Sequence, residues 1–289
     1  MVSGRQLEVL DRTGVTARLF SKKASGDVRD DNLPASRVVD GGTDASMLLY
    51  EGSPEGVHVF YFPAEYDTDI TIGLVASCFT RYDMNLLVMN YHTSEDGEVK
   101  LANLFDDVRH FLDAARKFME DNSRSGKIVL MGRSVGCGAA IEAALQIQEN
   151  ILCLVLESGF DRTADFFSGK GLEAHPSVME EDPFDNRNKM KKIKKPVMFI
   201  HSPRDVVLSL EQIEWLVAES RSKATQFQLA PSGSREELAI QAPDIYAEQL
   251  KDYINMRQGI RPPGRRRSKR RHRSESSATG FVQIEKLFD

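Results

Sequence analysis

The stretch from Met131 to Ala140, MGRSVGCGAA, constrains the fold of this chain more than any other feature. It follows the apolar run KIVL and opens a segment of helical pattern, so it predicts a strand, a sharp turn and a helix. Gly132 and Gly136 flank Ser134, and such small residues suit a turn in which strand and helix approach closely. The pattern therefore predicts a tight strand–turn–helix with Ser134 in the turn.

Apolar runs that predict strands recur along the chain and alternate with segments of helical period. In residues 101–119, apolar side chains recur at steps of three and four, which indicates an amphipathic helix. Other helices are predicted after Ser134, from near Ser209, and over 245–256. Strands that are apolar on both faces and separated by helices favour an α/β fold with a mostly parallel central sheet and helices on both faces. The strands are predicted at residues 46–52, 57–63, 85–91, 127–132, 153–159, 197–202 and 226–230.

Cysteine usage and hydropathy restrict the class of protein. The three cysteines, Cys78, Cys137 and Cys153, lie among apolar or small residues, which predicts buried, reduced thiols in an intracellular protein. No Cys/His cluster has metal-ligand spacing, so we expect neither a metal site nor a cofactor. The N-terminus lacks the apolar core of a secretory signal, and no apolar run approaches the length of a membrane span.

The net charge of −5 conceals a division of the chain. Residues 261–273 carry eight Arg or Lys and no acid, and residues 274–289 carry a net −2, so residues 1–260 carry −11. The basic run is either a contact to a polyanion or a protein partner, a nuclear-localisation signal, or a solvated tail that folds against the acidic body. We expect a cytoplasmic protein, with the nucleus as the alternative. The candidate polyanion-binding residues are Arg265, Arg266, Arg267, Lys269, Arg270, Arg271 and Arg273.

These patterns divide the chain into three parts. Residues 1–36 are polar and predict an irregular leader, residues 37–256 form the α/β domain, and residues 257–289 form a basic linker and a tail peptide. Near the end of the chain, Phe281, Ile284 and Phe288 stand at helical spacing. That peptide is either a docking segment for a partner or a segment that lies on its own body.

Three segments together resemble the α/β hydrolase superfamily, especially its compact intracellular serine esterases and acyl thioesterases. They are MGRSVG, the LVLESGF that follows the next strand, and DPFDNRNKMKKIKKPVMFIHSPRDVVLSLEQ at residues 182–212. The resemblance covers roughly residues 37–256. It implies that Ser134 is the nucleophile, Asp205 is the catalytic acid and the amide of Val135 is an oxyanion donor.

The sequence departs from this superfamily at two positions that the chemistry needs. The catalytic histidine is expected on the loop after the last parallel strand, but Ser234 occupies its position. The third strand is expected to be followed by His-Gly, but Pro63 and Ala64 stand there, and proline has no N–H to donate. Glu65 follows, and an ionised carboxylate there opposes a developing oxyanion. A serine without a base is a poor nucleophile.

Other histidines are candidate substitutes for the missing base. His92 lies on the loop after a central strand and His201 ends a strand four residues before Asp205, so both are predicted at the same sheet edge as Ser134. Asp205 itself has a second interpretation, in which it caps a helix or holds a turn. Two functions therefore stay open: a catalytically dead or weak hydrolase fold used for binding or assembly, and an active esterase or thioesterase with a relocated histidine base.

Overall fold

The computed structural model describes residues 7–12, 14–20, 33–40, 46–173, 175–229, 241–260 and 282–285. These residues form one nine-stranded sheet with the strand order β1-β2-β4-β3-β5-β6-β7-β8-β9. The six strands from β4 to β8 in this order are parallel, whereas β1 pairs antiparallel with β2, β2 with β4, and β9 with β8. The strands are β1 Ser36–Asp40, β2 Ser46–Tyr50, β3 His58–Phe62, β4 Asn85–Met89, β5 Ile128–Arg133, β6 Ile151–Glu157, β7 Val197–His201, β8 Thr225–Leu229 and β9 Val282–Glu285.

Helices cover both faces of the sheet. One face packs against α4, α5 and α9 through residues such as Phe111, Ile141 and Leu216, and the other packs against α3 and α10 through residues such as Val75 and Leu250. Each parallel strand contributes alternate side chains to the two cores, which explains its apolar run. The helices are α1 Glu8–Arg12, α2 Val15–Leu19, α3 Asp69–Thr80, α4 Leu104–Asp121, α5 Gly136–Ile147, α6 Thr163–Gly169, α7 Pro176–Glu180, α8 Asn186–Met190, α9 Leu210–Glu219 and α10 Pro243–Gln258.

Local sequence signals set the ends of the principal helices. The side chain of Ser209 caps α9 and exchanges hydrogen bonds with Gln212, so this helix begins where it was predicted. Helix α10 begins with Pro243 and ends at Gln258; Gly259 follows, and its φ of 78° is the left-handed conformation that glycine favours after a helix.

All seven predicted strands and the mostly parallel sheet are confirmed, with ends that differ by one or two residues. Two edge strands, β1 and β9, were not predicted. The helical spacing assigned to the C-terminal peptide is wrong at Val282–Glu285, because these residues pair antiparallel with Gln226–Leu229 of β8. Four residues are too few to show the alternation of a strand. The pairing with β8 shows that Val282–Glu285 lie against the body of the same chain.

The N-terminal segment is also more ordered than predicted. Residues 7–12 and 14–20 contain two short helices whose apolar side chains, including Leu10 and Leu19, are buried in the core. The Asp11 carboxylate accepts hydrogen bonds from the amides of Leu101 at 3.1 Å and Ala102 at 2.9 Å. The prediction of an irregular leader is therefore wrong for α1 and α2, since helices of five residues are too short to show a period. The division of the chain at residues 36 and 256 stays a prediction.

The three cysteines are buried and form no disulfide, as predicted. Burial raises the pKa of Cys78 to about 11 and that of Cys153 to about 12, so both are thiols at neutral pH. In the described part of the chain, no helix combines the length and the apolar character needed to cross a bilayer.

Candidate functional site

The turn between β5 and α5 has the predicted shape. Ser134 has a φ of 51°, a left-handed conformation that is uncommon for a residue with a side chain. A Cβ added at Gly136 would lie 2.1 Å from the carbonyl oxygen of Phe62, and one added at Gly132 would lie 2.5 Å from the carbonyl oxygen of Gly136. Both glycines are therefore required by the close approach of β3, β5 and α5.

Strand register places the candidate residues at one edge of the sheet. Arg133 pairs with Glu157, and Glu157 pairs with Ile200, so Ser134, Ser158 and His201 stand in the next row at the carboxyl ends of β5, β6 and β7. Two strand spacings separate β5 from β7, which puts the backbones of Ser134 and His201 about 10 Å apart. The Ser134 side chain is buried, with 0% exposure.

Both amides that were expected to form the oxyanion hole donate to carboxylates of the same chain. The amide of Val135 donates to Glu65 Oε2 at 3.3 Å, and the amide of Ala64 donates to Asp67 Oδ2 at 2.8 Å. Glu65 and Asp67 are both buried. The Glu65 carboxylate also lies at the N-terminus of α5, where the helix dipole stabilises negative charge. The carboxylate expected from the sequence to oppose an oxyanion thus accepts a hydrogen bond from the amide that the resemblance assigns to the oxyanion.

Lys170, which follows α6, holds Glu65 from the opposite side. Its ammonium lies 2.5 Å from Glu65 Oε1 and 5.4 Å from the centre of the Tyr66 ring. The pair links the loop after β3 to the segment after β6 that covers the turn. Sequence reasoning identified Glu65 but missed Lys170, because nothing in the sequence relates two residues that lie so far apart along the chain.

A buried network of charges supports the loop after β3. The Arg133 guanidinium, 1% exposed, lies 2.8 Å from Asp67 Oδ1 and 2.7 Å from Glu157 Oε1. Tyr61 donates to Asp67 at 2.6 Å, and Tyr246 donates to Glu157. Burial alone lowers the pKa of Arg133, but the adjacent carboxylates raise it well above its ordinary value. Asp67 therefore holds the Ala64 amide from a position that Arg133 fixes.

His201 and Asp205 lie side by side at the same sheet edge. His201 Nδ1 is 3.9 Å from Asp205 Oδ2, and both side chains are fully buried. The other carboxylate oxygen, Oδ1, accepts hydrogen bonds from the amides of Val207 at 2.8 Å and Leu208 at 3.1 Å. Asp205 therefore holds the turn that leads to α9, as its second interpretation predicted, while it also faces a histidine.

His92 lies elsewhere on this edge. It is exposed on the loop after β4, which β3 separates from β5, and its amide donates to Asp107 Oδ2 at 2.9 Å. Together with His110 it lines a polar cavity of 670 Å³, where burial raises the pKa of Asp107 to about 6. His58 begins β3 and therefore lies at the opposite edge from Ser134. Ser234 and the predicted polyanion-binding residues 265–273 lie outside the described residues.

Comparison with known proteins gives results at the level of structure. No protein-family profile matches the sequence, and no curated protein shows significant sequence similarity to it. The esterase Pf2001 of Pyrococcus furiosus superposes with a TM-score of 0.62 at 15% identity, over 81% of this chain and 95% of that one. Est1E of Butyrivibrio proteoclasticus gives a TM-score of 0.58 at 13% identity, over 78% and 99%.

An acylaminoacyl peptidase of Pyrococcus horikoshii is also similar, with a TM-score of 0.56 at 15% identity, over 79% of this chain and 42% of that one. Each of the three superpositions covers more than three quarters of this chain. The chain has the α/β-hydrolase fold.

Proposed function

We propose that this chain is an α/β-hydrolase-fold protein of serine-hydrolase ancestry that is catalytically dead or weak and acts as a binding or assembly subunit. The observation that carries the proposal is the hydrogen bond from the Val135 amide to the Glu65 carboxylate. The resemblance implies that this amide would stabilise the oxyanion in an active relative. Here it is engaged by a negative charge of the chain itself.

The energetic argument follows from how such sites work. Acyl transfer by serine depends on amide donors aimed at the charge that develops on the carbonyl oxygen, and removal of one donor costs roughly 3–4 kcal/mol. In this chain the amides of Val135 and Ala64 both have carboxylate acceptors. A substrate would have to displace Glu65 from Lys170 and from the start of α5 before its oxyanion could be bound. The expected loss of transition-state stabilisation is at least that of one donor.

The burial of Ser134 supports the same proposal. An active serine must be reached by an acyl group, but this side chain has 0% exposure beneath the loop after β3 and the segment after β6. We also propose an intracellular location, which the three buried thiols support.

A second candidate function is an active serine hydrolase in which His201 is the base and Asp205 orients it. The observation that favours it is the 3.9 Å approach of these two buried side chains at the carboxyl edge that also carries Ser134. A general base must come within about 2.6–3.2 Å of the hydroxyl whose proton it accepts, and two strand spacings separate the two backbones. His92, exposed on the far side of β3, is a less direct candidate.

Ester turnover distinguishes the two functions. We expect the full chain to hydrolyse p-nitrophenyl acetate and short acyl thioesters no faster than the Ser134→Ala variant does. A matched control is Ser168→Ala, an exposed serine in α6 outside the turn. Robust turnover that is lost in Ser134→Ala and kept in Ser168→Ala would establish the second function. Loss of that turnover in His201→Ala would then identify the base.

A further inference from the structure

We propose that a groove beside the Asp205 loop binds the chain's own basic segment, residues 265–273. The acidic groove, as we call it, is a cavity of 600 Å³ that includes Asp161, Asp165, Arg187, Val206, Glu211 and Trp215. It lies where β6 and β7 lead into α6 and α9, at the carboxyl edge of the sheet. The proposal does not depend on whether Ser134 is active.

The charges of the groove suit a basic occupant. Its lining residues carry four carboxylates and two guanidinium groups, which leaves a net charge of −2. Asp161 is buried and pairs with Arg187 through Oδ2, but its Oδ1 has no hydrogen-bond partner among the residues that the structure describes. A buried carboxylate oxygen without a donor is costly, so an additional guanidinium close to it is favourable.

The groove also presents apolar surface to solvent. Val206 is 90% exposed and Trp215 is 52% exposed, although both are large apolar residues. The Arg187 guanidinium lies 5.6 Å from the centre of the Trp215 ring, so the groove already stacks an arginine on its indole. Exposed apolar surface that is rimmed by charge marks interaction sites, and an indole attracts further guanidinium groups.

The path of the chain brings the basic segment to this groove. Helix α10 begins beside the carboxyl edge, where Tyr246 bonds Glu157 at the end of β6, and runs back toward the amino edge. Strand β9 begins at Val282, opposite Leu229 at the carboxyl edge. Residues 261–281, 21 in all, connect helix α10 to strand β9. Their contour of up to about 70 Å far exceeds the roughly 17 Å length of a five-residue strand.

The length of the connection and the charges of the segment and the groove are both compatible with docking of the basic segment in the acidic groove. Arg273 stands nine residues before Val282, a span of at most about 30 Å. Strand β9 lies two spacings, about 10 Å, from β7, whose following loop carries Asp205 and Val206. Eight positive charges are thus tethered beside a groove of net negative charge, on a body that carries −11. Tethering raises the effective concentration of the segment at the groove.

Carbodiimide cross-linking of the full chain tests the contact directly, because Lys269 is the only lysine between Lys251 and Lys286. At low salt we expect Lys269 to link to Asp165 or Glu211 within one chain. The link should be lost in about 1 M salt, which shortens the Debye length to about 3 Å, and in Lys269→Arg, which keeps the charge. The Lys117–Asp121 pair, at 2.7 Å and with both side chains more than half exposed, is the internal positive control.

Other occupants give different links. In an equal mixture of ¹⁵N-labelled and unlabelled chains, links from Lys269 that join labelled to unlabelled peptides in the proportion expected for random pairing would show that the segment of a second copy fills the groove, and would overturn the proposal. Formation of the Lys117–Asp121 link without any link from Lys269 to the groove would overturn it as well.

Quenching of tryptophan fluorescence is an independent test of the docking, since Trp215 is the only tryptophan of the chain. Replacement of the seven basic residues at 265–273 by glutamine should raise the quenching of Trp215 by neutral acrylamide, because the indole loses its cover. Arg109→Gln, on the exposed face of α4, should leave the quenching unchanged. Equal quenching in the native and neutralised chains would contradict the docking.

Discussion

Replacement of Arg133 tests the buried network that fixes the loop after β3. The guanidinium is 1% exposed and lies within 2.8 Å of two carboxylates, Asp67 and Glu157, which are themselves buried. Arg133→Leu removes the cation and leaves two uncompensated buried charges. Removal of one partner from a buried pair costs about 3–5 kcal/mol, a large part of the roughly 5–15 kcal/mol that stabilises a typical domain.

The assay is urea unfolding followed by circular dichroism, with the free energy of unfolding compared among three variants. Arg133→Lys keeps the charge but cannot span both carboxylates with two fixed donors, so it should lose less stability than Arg133→Leu. Arg109→Leu is the matched control, because its pair with Asp106 is more than half exposed and should contribute no more than about 0.5 kcal/mol. A loss below about 1 kcal/mol for Arg133→Leu, or a loss no larger than that of Arg109→Leu, would refute the reasoning.

Three further predictions concern the missing base, a buried histidine and the tail. Ser234→His should raise ester hydrolysis only modestly, because Glu65 still accepts from the Val135 amide, and the double variant with Glu65→Gln should be faster; equal rates would argue against the carboxylate as the obstacle. Burial lowers the pKa of His58 to about 4, so its contribution to stability should be lost as the pH falls from about 6.5 to about 4. The free energy of unfolding of the native protein minus that of His58→Gln should fall by about 2–3 kcal/mol over this pH range, because the subtraction removes the contribution of the carboxylates. A difference that does not change with pH would contradict the prediction. Polyanion binding should reside in residues 261–273 and fall with salt by a log–log slope of about −0.7 to −0.9 per phosphate neutralised; full affinity after their neutralisation would exclude the tail as the contact.

The sequence predicted the elements that depend on local pattern. The apolar run of each buried strand and the helical period of α4 each lie within one continuous segment of the sequence. They can therefore be recognised without knowledge of distant contacts. The turn at Ser134 was predicted because the spacing of Gly132 and Gly136 reflects a steric requirement that the structure shows. The elements that were missed, β1, β9 and the N-terminal helices, are short and are held by pairing or packing against distant segments.

The candidate site was predictable only in part for the same reason. Pro63, Ala64 and Glu65 are adjacent, so the altered loop after β3 was visible from the sequence. The contacts that hold the carboxylates of that loop require the three-dimensional approach of Lys170 and Arg133. No pattern of composition or spacing specifies such pairs across the sheet.

Labelling of Ser134 by a fluorophosphonate probe, followed by intact mass, tests the central claim most directly. The probe reacts with a serine that a base activates and whose oxyanion donors are open, and in this chain the amide of Val135 donates to the Glu65 carboxylate. We predict that the native protein labels no more than Ser134→Ala does, at probe concentrations that saturate an active esterase. Stoichiometric labelling of the native protein at Ser134, absent from Ser134→Ala, would contradict the account.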